Sequence, residues 1–292
     1  MSARPVSVAR TASLTALAMI AFAANSILCR LALGPERIDA ASFALVRLGS
    51  GAVTLSVIHA VVRAGERARG AVRIGARRAL LPAAMLALYA LCFSFAYRSL
   101  RAGTGALILF GSVQATMIAW AMRSGERFRA AEAVGLAAAL GGLGVLVAPG
   151  LAAPDPSGAV LMGIAGIAWG VYSLRGRGSV DPIGDTARNF ALAVAPGIAV
   201  AAVSLRGLHA SGAGALLAVL SGAVASGLGY AIWYAALRGL TSIRAALVQL
   251  TVPILAAAGG VAFLDERITI RLVASAALIL GGVGLAVAGR AR

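Results

Sequence analysis

The chain of 292 residues has no lysine, two cysteines, two histidines and ten acidic side chains. Charged residues make up 12% of it, where a soluble domain carries about 25%. With a mean hydropathy of +0.92, such a chain cannot cover its own surface in water, which excludes a soluble globular protein. Cys29 and Cys92 both fall inside apolar blocks, so neither a disulfide framework nor a cysteine metal site is expected. His59 and His209 lie far apart and close to loops, and no carboxylate occupies the middle third of any apolar block. An intramembrane enzyme would need paired carboxylates, a serine with a histidine base, or a histidine-rich motif there. No enzyme activity, cofactor or metal is therefore expected. A channel is disfavoured too, because neither a carbonyl loop nor a charged ring is evident.

All 26 basic residues are arginine, and the formal net charge is +16. In a soluble protein that excess would suggest nucleic acid. Here the arginines gather in the hydrophilic gaps between apolar blocks, as they do in cytoplasmic loops. The partners implied are a lipid bilayer and a small-molecule substrate, with no nucleic acid and the chain acting as a monomer. The missing lysines, beside abundant Ala, Gly and Arg, reflect genomic base composition. No Ala-x-Ala cleavage site follows the first apolar run, which is read as a retained helix.

Ten apolar blocks follow one another, near 11–33, 41–62, 79–97, 102–122, 131–148, 159–175, 186–205, 211–235, 242–263 and 270–288. A helix crosses ~30 Å of hydrocarbon in about 20 residues. Blocks apolar on every side, such as 131–148, do not show the alternation of barrel strands. The expected fold is an all-α polytopic membrane protein. Gaps rich in arginine (Arg63 to Arg78, Arg123 to Arg129, Arg175 and Arg177) and both ends alternate with poorer gaps. Placing the rich gaps in the cytoplasm puts both termini there, at a bacterial inner membrane.

The second half echoes the first at an offset of 140. Glu126-Arg127 returns as Glu266-Arg267, Gly141-Gly142-Leu143-Gly144 returns as Gly281-Gly282-Val283-Gly284, and nine positions between 126 and 148 match their partners. Tyr97-Arg98-Ser99-Leu100 has a weaker echo in Tyr234-Ala235-Ala236-Leu237. The unit is about five spans, residues 1–150 and then 151–292. An odd-numbered unit repeated in tandem enters the membrane in opposite senses. Inverted repeats of this kind mark secondary transporters, which bind substrate between the halves.

These features resemble the drug/metabolite transporter superfamily, and within it the EamA-type exporters. The five-plus-five spans, the Glu-Arg before spans five and ten, the glycine-rich ends of those spans and Trp169-Gly170 in span six carry the likeness. Span one departs with Phe22-Ala23 but keeps Asn25 and Arg30. Arg47 stands where the family has an arginine in span two, with Arg188 as its counterpart in span seven. Pro253 matches the proline of span nine, where the first half has Val113 or Gln114. The resemblance implies an exporter of small metabolites working by alternating access, and points to the bacterial aromatic amino-acid exporters. Drugs or nucleoside-like metabolites are the alternative cargo.

Polar and aromatic residues deep in a span avoid lipid and face protein or a cavity. Asn25, Tyr89, Trp169, Tyr172, Tyr230, Trp233 and Gln249 are the substrate-binding candidates. Gln249 is preferred over Gln114 because Pro253, one turn on, loosens the backbone. Ser226, Tyr230 and Trp233 or Tyr234 form one stripe of span eight, and Tyr89, Phe93 and Tyr97 one stripe of span three. Trp120 and Tyr97 are read as interfacial belt residues. Arg47 and Arg188 sit near block ends and are expected to snorkel. Glu126 and Glu266 are expected to complement the dipoles of the helices they precede. Gly166-xxx-Gly170, Gly222-xxx-Ser226 and Ala277-xxx-Gly281 are expected to bring helices together.

Overall fold

The computed structural model describes residues 8–64, 76–123, 130–148, 150, 153–176, 179–240, 245 and 248–289. Among them the regular structure is helical, apart from one antiparallel bridge between Ile38 and Ala210. Helices α1 (Val8–Leu33), α2 (Ala40–Ala64), α3 (Ala76–Ala96), α4 (Ala102–Arg123), α5 (Ala130–Val147), α6 (Pro156–Gly176) and α7 (Pro182–Val203) come first. A short 3-10 turn, Leu205–Gly207, leads to α8 (Gly212–Leu237), then α9 (Thr251–Leu264) and α10 (Ile270–Gly289). Seven of these, α1 to α4 and α6 to α8, are long and apolar enough to cross a membrane, and α5, α9 and α10 hold shorter apolar stretches.

The ends follow from local chemistry. Gly34-Pro35 stops α1, since proline cannot continue the ladder. Pro182 opens α7, where its missing N–H costs nothing, and the Asp181 carboxylate caps the turn by accepting from the Gly184 N–H at 3.0 Å. Ser211 caps α8 in the same way through the Gly214 N–H at 3.1 Å. This proline start carries α7 back past the expected residue 186 and brings Asp185 into its first turn. Inside α8, Leu220–Leu228 winds as a π-helix, a form that concentrates at functional sites.

Polarity is arranged for hydrocarbon. Val57, Ile167, Ile198, Leu216 and Val224 face outward, while Asn25, Arg47, Thr186, Ser221 and Ser226 are buried. The main pairings are α5 on α10, α2 on α7 and α4 on α9, with α3 on α6, α1 on α8, α4 on α6, α1 on α9, α2 on α8 and α3 on α7. Advancing every helix number by five turns this set into itself. The glycines of α5 and α10 repeat the correspondence. A Cβ on Gly282 would lie 2.5 Å from the Gly135 carbonyl, and one on Gly142 would lie 2.7 Å from the Leu278 Cβ. Gly141, Gly144, Gly281 and Gly284 meet nothing within 4 Å. The expected Ala277-xxx-Gly281 contact is thus corrected by one residue, to Gly282. Gly166 and Gly170 do admit α4, and Gly222 admits the Arg47 carbonyl of α2.

The arginine-poor gaps meet at one end of the bundle. His209 joins the gap after α7 to Asp39 and Glu36 in the gap after α1. Ser99, after α3, donates to Asp155, after α5, at 3.0 Å. Arg30 at the end of α1 donates to the Arg98 carbonyl at 2.9 Å and lies 3.7 Å from Glu266. Glu266 caps a helix, but not the one it precedes: both its oxygens accept from the Ala102 N–H at the start of α4, at 2.9 Å. Burial raises its carboxyl above the usual range, against the opposing effect of that N–H and Arg30. The expectation of a dipole partner holds, with the helix corrected. Glu126 lies outside the described residues, as do Arg67, Arg69, Arg73, Arg127, Arg129 and Arg177.

Candidate functional site

Nine rings run unbroken from Tyr97 to Trp233 across five helices. Turn-by-turn spacing on α3 lines up Tyr97, Phe93 and Tyr89, with centroids 4.7 and 5.4 Å apart. Tyr89 then meets Trp169 of α6 at 4.9 Å. Trp169 stacks on Tyr172 at 5.2 Å and on Tyr230 of α8 at 5.4 Å, the latter pair only 19° from parallel. Tyr230 also touches Phe22 of α1 and Phe190 of α7, and Trp233 closes the row on Phe22 at 6.0 Å. Five of the seven candidates, Tyr89, Trp169, Tyr172, Tyr230 and Trp233, are therefore brought together.

Asn25 is buried beside them, its amide oxygen accepting from Ser221 of α8. Gln249 is apart: its amide donates to the Ala245 carbonyl at 3.4 Å, and among the described residues no recorded contact joins it to the rings. The backbone does break there. Pro253 has no N–H to offer the Gln249 carbonyl, and regular helix resumes at Thr251.

A node of hydroxyls completes one side. Thr186 gives its single proton to the Pro182 carbonyl at 2.7 Å. It can then only accept from Tyr234, at 2.8 Å, and from Tyr172, at 3.4 Å.

Arg47 is the residue the sequence reading misplaced. It does not snorkel: it is 1% exposed, the largest fully buried side chain among the described residues. Its Nη2 donates to the Tyr89 hydroxyl at 2.9 Å and its Nε to Ser226 of α8 at 3.4 Å. The guanidinium lies 4.7 Å from the Phe93 centroid and 5.1 Å from that of Tyr89, close enough for cation–π attraction. Nη1 has no partner. Tyr97 is corrected as well: it is wholly buried and donates to the Ala102 carbonyl at 3.2 Å, so it is no belt residue. Trp120 stays 45% exposed, with Arg175 above its ring at 5.8 Å. Arg188 also departs from the snorkelling expectation, held by Asp185 at 2.7 Å.

A separate cavity of about 130 Å³ opens at the arginine-poor end, beside Arg101, Asp155, Glu266, Arg267 and Arg271. Pockets for drug-sized ligands measure about 300–1,000 Å³, so this one suits water or a small ion. The rings and Arg47 form the better candidate for a metabolite.

A helical bundle with apolar residues outward and a buried aromatic and cationic centre is a multi-pass membrane protein. Residues 156–288 match the EamA-like transporter family. An uncharacterized protein of Pseudomonas aeruginosa is 48% identical over 286 residues, 96% of each chain. A chain from a crystal structure superposes with a TM-score of 0.66 at 20% identity, covering 94% of this chain and 95% of that one. An EamA family domain of the drug/metabolite transporter superfamily is therefore present over residues 156–288.

Proposed function

We propose that the protein is a secondary exporter of small metabolites, amino acids with aromatic side chains foremost, working by alternating access between two inverted five-helix repeats. The observation that carries this reading is the row of rings. It draws Phe22, Tyr89 and Phe93 from residues 1–150 and Trp169, Tyr172, Tyr230 and Trp233 from 151–292. A site built from both halves is one that their relative motion opens and closes. Helix pairings that map onto themselves at a shift of five support the repeat. The arginine-rich gaps and both termini face the cytoplasm of a bacterial cell, and the arginine-poor end, tied by Arg30, Glu266 and Ala102, faces outward. Transport is facilitated or exchange, without an obligatory ion, because no carboxylate lies mid-span.

Counterflow into vesicles holding the purified chain, with amino acids, nucleosides and cationic drugs offered in parallel, tests the reading. Aromatic amino acids are expected to exchange best, and Trp169→Ala and Tyr230→Ala to weaken exchange while the protein stays folded in detergent. Preference for nucleosides would favour the alternative cargo. Strict dependence on a pH gradient would defeat ion-free transport.

A further inference from the structure

The geometry points to Arg47 as the receptor for a carboxylate, so that the cargo of this site must carry one. The inference rests on the proposed transport reading and narrows its substrate class. A guanidinium has five N–H donors in a planar fork. Here Nη2 and Nε use neutral hydroxyls, Nη1 has no partner among the described residues, and the group is wholly buried. Among the described residues no carboxylate forms an ion pair with it.

Burying an ionised group without an opposite charge is costly. Cation–π contact and hydrogen bonds to neutral hydroxyls offset that cost and hold the side chain in place, but neither supplies a counter-charge. A planar carboxylate accepting from Nη1 and a neighbouring N–H would compensate the guanidinium charge, in the two-pronged pairing arginine favours. Tyr89 connects this charge to the rings, since its hydroxyl accepts from Arg47 while its face lies against Trp169. The ligand class is therefore an organic carboxylate with an attached apolar or aromatic body. A free amine without the acid does not fit.

The test measures thermal stabilisation of the purified full-length protein in detergent. The probes are tryptophan, indole-3-propionate and tryptamine, with leucine, 4-methylpentanoate and isopentylamine as an aliphatic series. Tryptophan and indole-3-propionate are expected to bind at least about tenfold more tightly than tryptamine. Arg47→Gln is expected to erase that difference, and Arg47→Lys to keep its direction with weaker binding. Equal binding of tryptamine and tryptophan overturns the proposal while leaving an aromatic site standing. A carboxylate preference equally strong in the aliphatic series sustains Arg47 and removes the aromatic reading instead. Failure of every carboxylate to stabilise the protein also overturns it. Should Arg47→Gln not fold, the wild-type panel and Arg47→Lys decide.

Discussion

Arg47 and Arg188 begin alike and end differently. Each lies in a helix of its own half, seven and six residues beyond the first residue of α2 and α7, so both sit roughly 10 Å along their helices. Those helices pack against each other. Arg188 has Asp185 three residues before it and forms an ion pair at 2.7 Å with a third of its side chain exposed. Arg47 has Ala44 and Phe43 in that position, and turns inward onto Tyr89, Phe93 and Ser226. Both keep one buried nitrogen without a partner among the described residues, Nη1 of Arg47 and Nε of Arg188, so what separates them is the carboxylate within a turn that only Arg188 has. In packing, by contrast, the halves agree: Gly142 and Gly282 make equivalent close approaches.

The strongest way to break the contrast is to give Arg47 the partner that Arg188 has. Ser226→Asp places a carboxylate at the position that now accepts from Nε. Uptake should fall by more than about tenfold as the internal acid occupies the guanidinium, while the melting temperature in detergent holds or rises. Undiminished uptake would show that Arg47 needs no free N–H.

Where the halves agree, Gly282→Ala and Gly142→Ala should each destabilise by about 1–3 kcal/mol through overpacking. Gly281→Ala and Gly141→Ala, which open onto free space, should not. Thermal unfolding of the four variants checks this, and equal effects at all four positions would erase the correspondence. Asp185→Asn should cost less, roughly 1 kcal/mol, since the pair is partly solvated. Urea or thermal unfolding measures it, and a larger loss would make Arg188 as dependent on its site as Arg47.

The smallest effect belongs to the loops at the arginine-poor end. His209 points both ring nitrogens at carbonyls, Nδ1 at Gly207 at 3.2 Å and Nε2 at Glu36 at 3.0 Å. Two acceptors are both satisfied only when the ring carries two N–H groups, and those carbonyls raise its pKa above the ordinary 6.5. The clasp is fully formed below pH 6.5 and loosens as pH rises through the raised value. Burial tends to raise the Asp39 pKa, but the N–H groups of Ser42 and His209 hold its carboxyl below the usual range. That second contribution is present above about pH 4 and is lost as pH falls through the lowered value. Hydrogen-exchange protection around residues 207–211, taken relative to the intrinsic rate at each pH, should therefore be greatest between those limits and fall modestly on either side.

Much of this was readable along the chain. Apolar blocks gave the helices, because length and composition suffice for that. Spacing by turns aligned Tyr89, Phe93 and Tyr97, and set Trp169 over Tyr172. Arg47 was not readable in the same way, since Tyr89 and Ser226 come from other helices and nothing in α2 announces them. Glu266 was assigned to the wrong helix for the same reason: its partner, Ala102, is distant in sequence. Gly282 was missed by one residue because Gly281 and Gly282 are adjacent and alike, and only the facing residues of α5, distant in sequence, tell them apart.

The wide winding of α8 has a mechanical corollary. Ser221 and Ser226 are five residues apart, and ordinary α winding would point them roughly 140° from each other. The i→i+5 coil lets one serine grip Asn25 on α1 while the other reaches the guanidinium on α2. Tightening that coil into a regular helix would tear at least one of these attachments. The pitch of a single helix thereby ties its hold on α1 to its hold on α2, and neither can be released without strain on the other.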